Sequence, residues 1–203
     1  MMTANRKMSL RVARTSLFLF VAMLALGCQL KERPVLSTSP LSIERLQVYR
    51  GLLNSLPPNQ SKNLANQTSP FSLSGVPDGS ACLQGIELEN RSQSGRTVHS
   101  LGAEITEGRS LRLVDPTEQA KILRKKDSAP PDQKRAEDSP KESSDSGFLA
   151  VSEIEFDKKH QFALLSYVFF CGSKCKYAAT LVLEKHNEEW TAKTRRTCTV
   201  SVN

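Results

Sequence analysis

The last third of the chain has the clearest pattern of apolar and polar positions. A nearly continuous apolar run, rich in β-branched and aromatic side chains, extends from Gln161 to Phe170, and another extends from Ala178 to Lys185. Phe148 to Phe156 alternates in part, and Trp190 to Val202 is an interrupted apolar segment. These four segments predict β-strands. Because short connections join them, the sequence predicts a four-stranded antiparallel meander.

A helical period occurs nearer the N-terminus. Apolar residues recur at helical spacing over residues 43–55, Ser42 stands at the N-cap position, and Pro57 follows the last turn. A polar cap and a following proline mark the two ends of a helix. The sequence therefore predicts a helix from Ile43 to Ser55, although Gly51 in its interior lowers the helix propensity.

The middle of the chain predicts shorter elements. Residues 83–88, 97–101 and 111–114 are candidate strands, and a polar turn over residues 90–95 separates the first two. Asp115 is placed to cap a helix that begins at the following proline and ends near residue 125.

Residues 127–147 have a different composition from their surroundings. They contain three prolines, several serines and mixed charge, with almost no apolar side chain. Such a segment buries too little apolar surface to offset the entropy of ordering it, so we expect a long disordered loop. The remaining elements predict one α+β domain over residues 42–203, in which the N-terminal helix and the short middle elements pack on the meander.

The N-terminus has three successive parts. Basic residues come first, residues 17–26 form an uninterrupted apolar run, and Gly27 then precedes Cys28. This order is typical of a secretory signal peptide, here residues 1–27. A transmembrane helix is disfavoured, because spanning a bilayer needs about 20 apolar residues and this run is about half as long.

The segment Ala25-Leu26-Gly27-Cys28 resembles the lipobox of bacterial lipoproteins. In that family the cysteine receives diacylglycerol on its sulfur and becomes the mature N-terminus. The resemblance implies a palmitate-type lipid anchor on Cys28. Residues 28–41 form the anchor and a flexible tether, because they contain two prolines and little apolar material. Because Gln29 stands where an inner-membrane retention signal has Asp, the resemblance also implies the outer membrane of the cell envelope. In the alternative, residues 25–27 are an ordinary cleavage site that releases a soluble secreted protein.

The charge balance does not support binding to a nucleic acid. The chain has a net charge of +7, but four basic residues and no acidic residue precede Cys28, so the remainder has a net charge of only +3. No block of basic residues interleaved with aromatic residues is present. We therefore expect two partners, the membrane through the lipid on Cys28 and another component of the envelope.

The five cysteines are Cys28, Cys82, Cys171, Cys175 and Cys198. Lipid on the first leaves four, and an even number in an exported protein predicts disulfides. Three pairings are open. We favour Cys171–Cys175, which closes the turn between two predicted strands, together with Cys82–Cys198, which joins the middle of the domain to its last strand.

The same cysteines allow a different chemistry. The Cys171-x-x-x-Cys175 spacing resembles that of copper-delivery proteins with the thioredoxin fold, in which two thiolates and a distant histidine hold the metal. Soft thiolates suit Cu(I) or Zn²⁺. His160 or His186 would be the third ligand. Our first interpretation has no cofactor, and this alternative is a periplasmic metal-binding or thiol-redox protein.

The C-terminal part also resembles a family of uncharacterised exported bacterial proteins. The pattern consists of a strand with Ser and Phe-Asp, Cys-Gly-x-x-Cys, a strand ending Leu-Glu-Lys, and a Trp beyond a turn. Here it comprises residues 151–157, 171–175, 183–185 and Trp190, with residues 82–85 and 113–116 as looser matches in the middle of the chain. The resemblance implies export and a shared fold but no activity.

No catalytic motif occurs in the sequence. Neither a Gly-x-Ser-x-Gly elbow, a His-Glu-x-x-His helix nor a phosphate loop is present. His160 lies in a predicted polar turn, His99 in a candidate strand, and Glu153 and Glu155 on one strand face that we expect to be solvated. The sequence therefore favours a non-enzymatic binding or structural module, with an uncharacterised hydrolase using His99 or His160 as a further alternative.

Overall fold

The computed structural model describes residues 34–57, 62–73, 76–77, 80–89, 97–127, 147–172 and 175–202. This part of the chain has an α+β fold in which strands predominate. The signal segment, Cys28 and most of the predicted loop 127–147 lie outside the described residues. The elements are the helices α1 (Ile43–Ser55) and α2 (Pro116–Asp127) and the strands β1 (Val35–Leu36), β2 (Asn63–Ala65), β3 (Thr97–Val98), β4 (Arg112–Val114), β5 (Phe148–Val151), β6 (Glu155–Phe156), β7 (Phe162–Gly172), β8 (Cys175–His186) and β9 (Glu189–Val202).

The main sheet contains seven strands. Its order is β4-β2-β5-β7-β8-β9, and β6 pairs with β7 beside this path. The neighbours β5, β7, β8 and β9 are all antiparallel, as in the predicted meander. Its first strand, predicted over residues 148–156, is interrupted after Val151, and its end forms the separate strand β6. The strand β2 was not predicted, and its parallel pairing with β4 and β5 extends the meander into a mixed sheet.

The prediction of a strand at residues 83–88 was wrong. A 3-10 turn over Ala81–Leu83 occupies its beginning, and Gly85 has a left-handed φ of 76°. That conformation interrupts an extended chain. The apolar residues of this segment are nevertheless buried, because Ile86 and Leu88 pack in a core cluster with Phe71, Leu164 and Val182. Of the candidate strand at residues 97–101, only Thr97–Val98 forms a strand, which pairs with β1.

Helix α1 has the predicted bounds. The Ser42 hydroxyl accepts a hydrogen bond from the backbone N–H of Arg45 at 3.3 Å. The helix buries Tyr49, Leu52 and Leu53 in the main core, where Trp190 of β9 also packs. Among the described residues, no helix is long and apolar enough to cross a membrane.

Gly51 explains the close approach of α1 to β9, and its replacement by alanine should destabilise the domain. An added Cβ would overlap the backbone carbonyl oxygen of Trp190. Alanine is favoured over glycine in helices by about 1 kcal/mol, but crowding a packed interface costs about 1–3 kcal/mol. We expect Gly51→Ala to lower the free energy of unfolding in urea. The exposed Gln47 on the same helix provides the control, since Gln47→Ala should change that free energy by less than about 0.5 kcal/mol. A stabilised Gly51→Ala variant would contradict this packing.

Candidate functional site

The carboxylate of Glu153 is buried in the chain that connects β5 to β6. Glu153 and Glu155 are each 6% exposed, so the prediction that they share a solvated face was wrong. The reason is that other parts of the chain cover this connection. Ser152 forms a β-bridge with Ser69, and Arg45 of α1 donates to the carbonyl oxygen of Ile154 at 3.4 Å.

Three parts of the chain donate hydrogen bonds to this carboxylate. The Thr68 hydroxyl and the backbone N–H of His99 donate to Oε1, the latter at 2.9 Å. Nδ1 of His99 lies 3.0 Å from both carboxylate oxygens, and Nη1 of Arg45 lies 3.1 Å from Oε2. A buried charge is stabilised when it is paired and its lone pairs are used. We call Glu153, Arg45, Thr68 and His99 the Glu153 cluster.

His99 has a fixed orientation in this cluster. Of the two neutral tautomers of His99, the one with its proton on Nδ1 can donate to the carboxylate and leaves Nε2 as an acceptor. Nε2 has no hydrogen-bond partner among the described residues, and the side chain is 15% exposed. A carboxylate that orients a histidine in this way is also found in hydrolases, where the second nitrogen acts as the base.

Tyr49 lies next to the cluster. Its hydroxyl donates to the backbone carbonyl oxygen of Ser152 at 2.9 Å. Burial raises the pKa of Tyr49 well above 10.0, the charge of Glu153 raises it further, and Arg45 opposes both. Tyr49 is therefore a neutral hydrogen-bond donor at physiological pH, and it joins α1 to the β5–β6 connection.

His160 belongs to a second group of charges at the turn between β6 and β7. The sequence predicted an exposed turn histidine, and the residue does lie in the turn, with a left-handed φ of 52°. Its Nδ1 lies 2.8 Å from a carboxylate oxygen of Glu44, and its ring stacks on Phe156 at a centroid distance of 4.7 Å. Its Nε2 lies 3.6 Å from Glu89. His160 therefore joins α1 and the residue 89 region to this turn.

The structure pairs Cys82 with Cys198 and Cys171 with Cys175, the two pairs that the sequence analysis favours. The Cα atoms are 5.2 Å and 5.1 Å apart, within the usual range for disulfides. The first bridge joins the Ala81–Leu83 turn to β9. The second closes the connection between β7 and β8.

The ligands of the alternative metal site do not meet in the structure. Cys171 and Cys175 lie at one end of the paired strands β7 and β8, whereas His160 precedes β7 and His186 ends β8 at the other end. At about 3.3 Å per residue, the length of β7 separates the two ends by roughly 30 Å. Within the described ranges, no group of three or more His, Cys, Asp or Glu side chains is placed to hold a metal ion.

No protein-family model matches this chain, and no curated protein or solved structure matches it either.

Proposed function

We propose that this chain is an exported envelope protein, held to a membrane by lipid on Cys28, and that its domain is a non-enzymatic binding or structural module. One observation carries the proposal. The two disulfides use four of the five cysteines, and the fifth is Cys28, which directly follows the apolar run and Gly27. Disulfides are typical of exported proteins, and a lone cysteine after such a run is the residue that lipoproteins acylate.

The arrangement of the Glu153 cluster supports a structural role. Its donors come from α1, from the chain after β2 and from the chain after β3, so the carboxylate holds these parts together. The Glu153 carboxylate is itself buried, and these donors occupy its oxygens.

Replacing Cys28 with serine should abolish lipid attachment. The chain is expressed at full length in a bacterial host that is fed an alkyne analogue of palmitate, and the alkyne is the label. We expect the wild-type chain to carry this label and to fractionate with membranes. The Cys28→Ser chain should carry no label, because serine offers no thiol for the thioether bond. The readout is the label in the isolated protein, since an uncleaved precursor would also remain with membranes.

The control is the double variant Cys171→Ser/Cys175→Ser, which removes two cysteines and leaves Cys28. It should be labelled like the wild type. An unlabelled wild-type protein in the soluble fraction would refute the lipid anchor and favour plain secretion. A label that persists in Cys28→Ser would place the lipid on another residue.

A further inference from the structure

A groove opens between the second half of α1 and the segment that follows the 3-10 turn Ala103–Thr106. Its volume is about 330 Å³, at the lower end of the range of roughly 300–1,000 Å³ for small-ligand sites. The side chains of Leu53 and Ile105 line it and are themselves almost fully buried, so they form an apolar floor. Arg50, Arg109, Glu107 and Gly108 also line it.

Two guanidinium groups, those of Arg50 and Arg109, and the carboxylate of Glu107 line this groove. Nε and Nη2 of Arg50 donate to the carbonyl oxygen of Glu104 at 3.1 Å and 2.7 Å, which fixes the group in place. Nη2 also lies 2.5 Å from a carboxylate oxygen of Glu107. Nε of Arg109 donates to Asn54 at 3.2 Å, and within the part of the chain that the structure describes no acceptor contacts its two Nη groups. The groove therefore has more cationic donors than acceptors.

The Glu107 side chain is well placed to leave this arrangement. It is 74% exposed, and an exposed ion pair contributes little to stability. The next residue, Gly108, has a φ of 76°, and a Cβ there would meet no atom within 4 Å. The backbone beside Glu107 is thus uncrowded, and a carboxylate from another molecule could take the place of its side chain on Arg50.

We propose that this groove binds a carboxylate that carries a short apolar group. The carboxylate lies between Arg50 and Arg109, because guanidinium groups form strong charge-assisted pairs with carboxylates. The apolar group covers Leu53 and Ile105, and Glu107 is an internal competitor that the ligand displaces. This proposal rests on the proposed function, because it takes the domain to be a binding module. It adds the chemical class of the ligand. A free peptide C-terminus and a small organic acid share this chemistry.

The test is a titration of the full mature protein, ¹⁵N-labelled and in detergent micelles, with N-acetyl-leucine, hexanoate and the uncharged N-acetyl-leucinamide. Both acids should give saturable shifts at the amides of Leu53, Ile105 and Gly108, and the amide compound should bind at least about tenfold more weakly, because it lacks the charge. Tighter binding of N-acetyl-leucine supports a peptide C-terminus as the source, and tighter binding of hexanoate supports a small acid.

Variants locate the binding site. Arg109→Gln should weaken binding of the tighter acid by roughly tenfold or more, and Glu107→Gln should strengthen it several-fold, since the internal competitor loses its charge. Arg112→Gln, an exposed arginine that pairs with Glu118 outside the groove, is the control and should leave the affinity unchanged. Equal binding of the uncharged compound, no effect of Arg109→Gln, or no saturable shift in both the wild type and Glu107→Gln would overturn the proposal. These shifts should be the same in the Cys28→Ser protein, so this test and the lipid test fail independently.

Discussion

Replacing Glu153 with alanine is expected to lower the free energy of unfolding by about 3–5 kcal/mol. This is the cost typical of removing one partner of a buried ion pair. The substitution removes the buried carboxylate with which the partly buried Arg45 pairs and on which Nδ1 of His99 lies. It also removes the acceptor of the Thr68 hydroxyl. Urea denaturation followed by circular dichroism measures the change.

Two further variants make this test specific. Glu153→Gln keeps the shape and one acceptor oxygen, so it should be less destabilising than alanine. Glu87→Ala removes an exposed carboxylate, which pairs with Lys158 at 3.2 Å, and should cost less than about 1 kcal/mol. A loss for Glu153→Ala no larger than that for Glu87→Ala would mean that the cluster does not hold the three parts of the chain together.

Loss of the Cys82–Cys198 bridge should have an effect of similar size. The two cysteines are separated by 116 positions, and in the chain-entropy model a loop of this length corresponds to about 5 kcal/mol. The separation of 4 positions between Cys171 and Cys175 corresponds to about 2 kcal/mol in the same model. We expect the double variant Cys82→Ser/Cys198→Ser to unfold at a much lower urea concentration than Cys171→Ser/Cys175→Ser.

The two double variants are matched, since each replaces one pair of thiols by hydroxyls. The two bridges differ in the length of the loop that they close and in their place in the fold, so the comparison reports on these two properties together. Cys82 is buried, and Cys198 packs against the core cluster that contains Leu164 and Val182. If the short bridge proved the more stabilising of the two, the assignment of Cys82–Cys198 as the main covalent link of the domain would be wrong.

The elements that the sequence predicted are those with local signals. Helix α1 is marked by Ser42 at one end and Pro57 at the other, and these two residues act on the helix termini directly. The strands β7, β8 and β9 of the meander are long enough to be recognised from their apolar runs. By contrast, β2 is only three residues long, and it forms because β4 and β5 pair with it on both sides.

The Glu153 cluster could not be predicted from spacing. Arg45, Thr68 and His99 lie 108, 85 and 54 positions from Glu153 in the chain. The alternation of Glu153 with Ile154 indicates two faces of a strand, but whether the polar face meets water depends on what covers it. Here α1 and the chain around residues 68 and 99 cover it. The groove beside Arg50 depends in the same way on parts of the chain far apart in sequence.

The intact mass of the full-length protein after expression in a bacterial envelope, measured before and after alkylation without reductant, tests the lipid anchor and both disulfides together. We expect a chain that begins at Cys28, carries the mass of the lipid, and takes up no alkyl group, because four cysteines are paired and the fifth is a thioether. A chain that retains residues 1–27, or one without lipid that takes up an alkyl group on Cys28, would contradict this expectation.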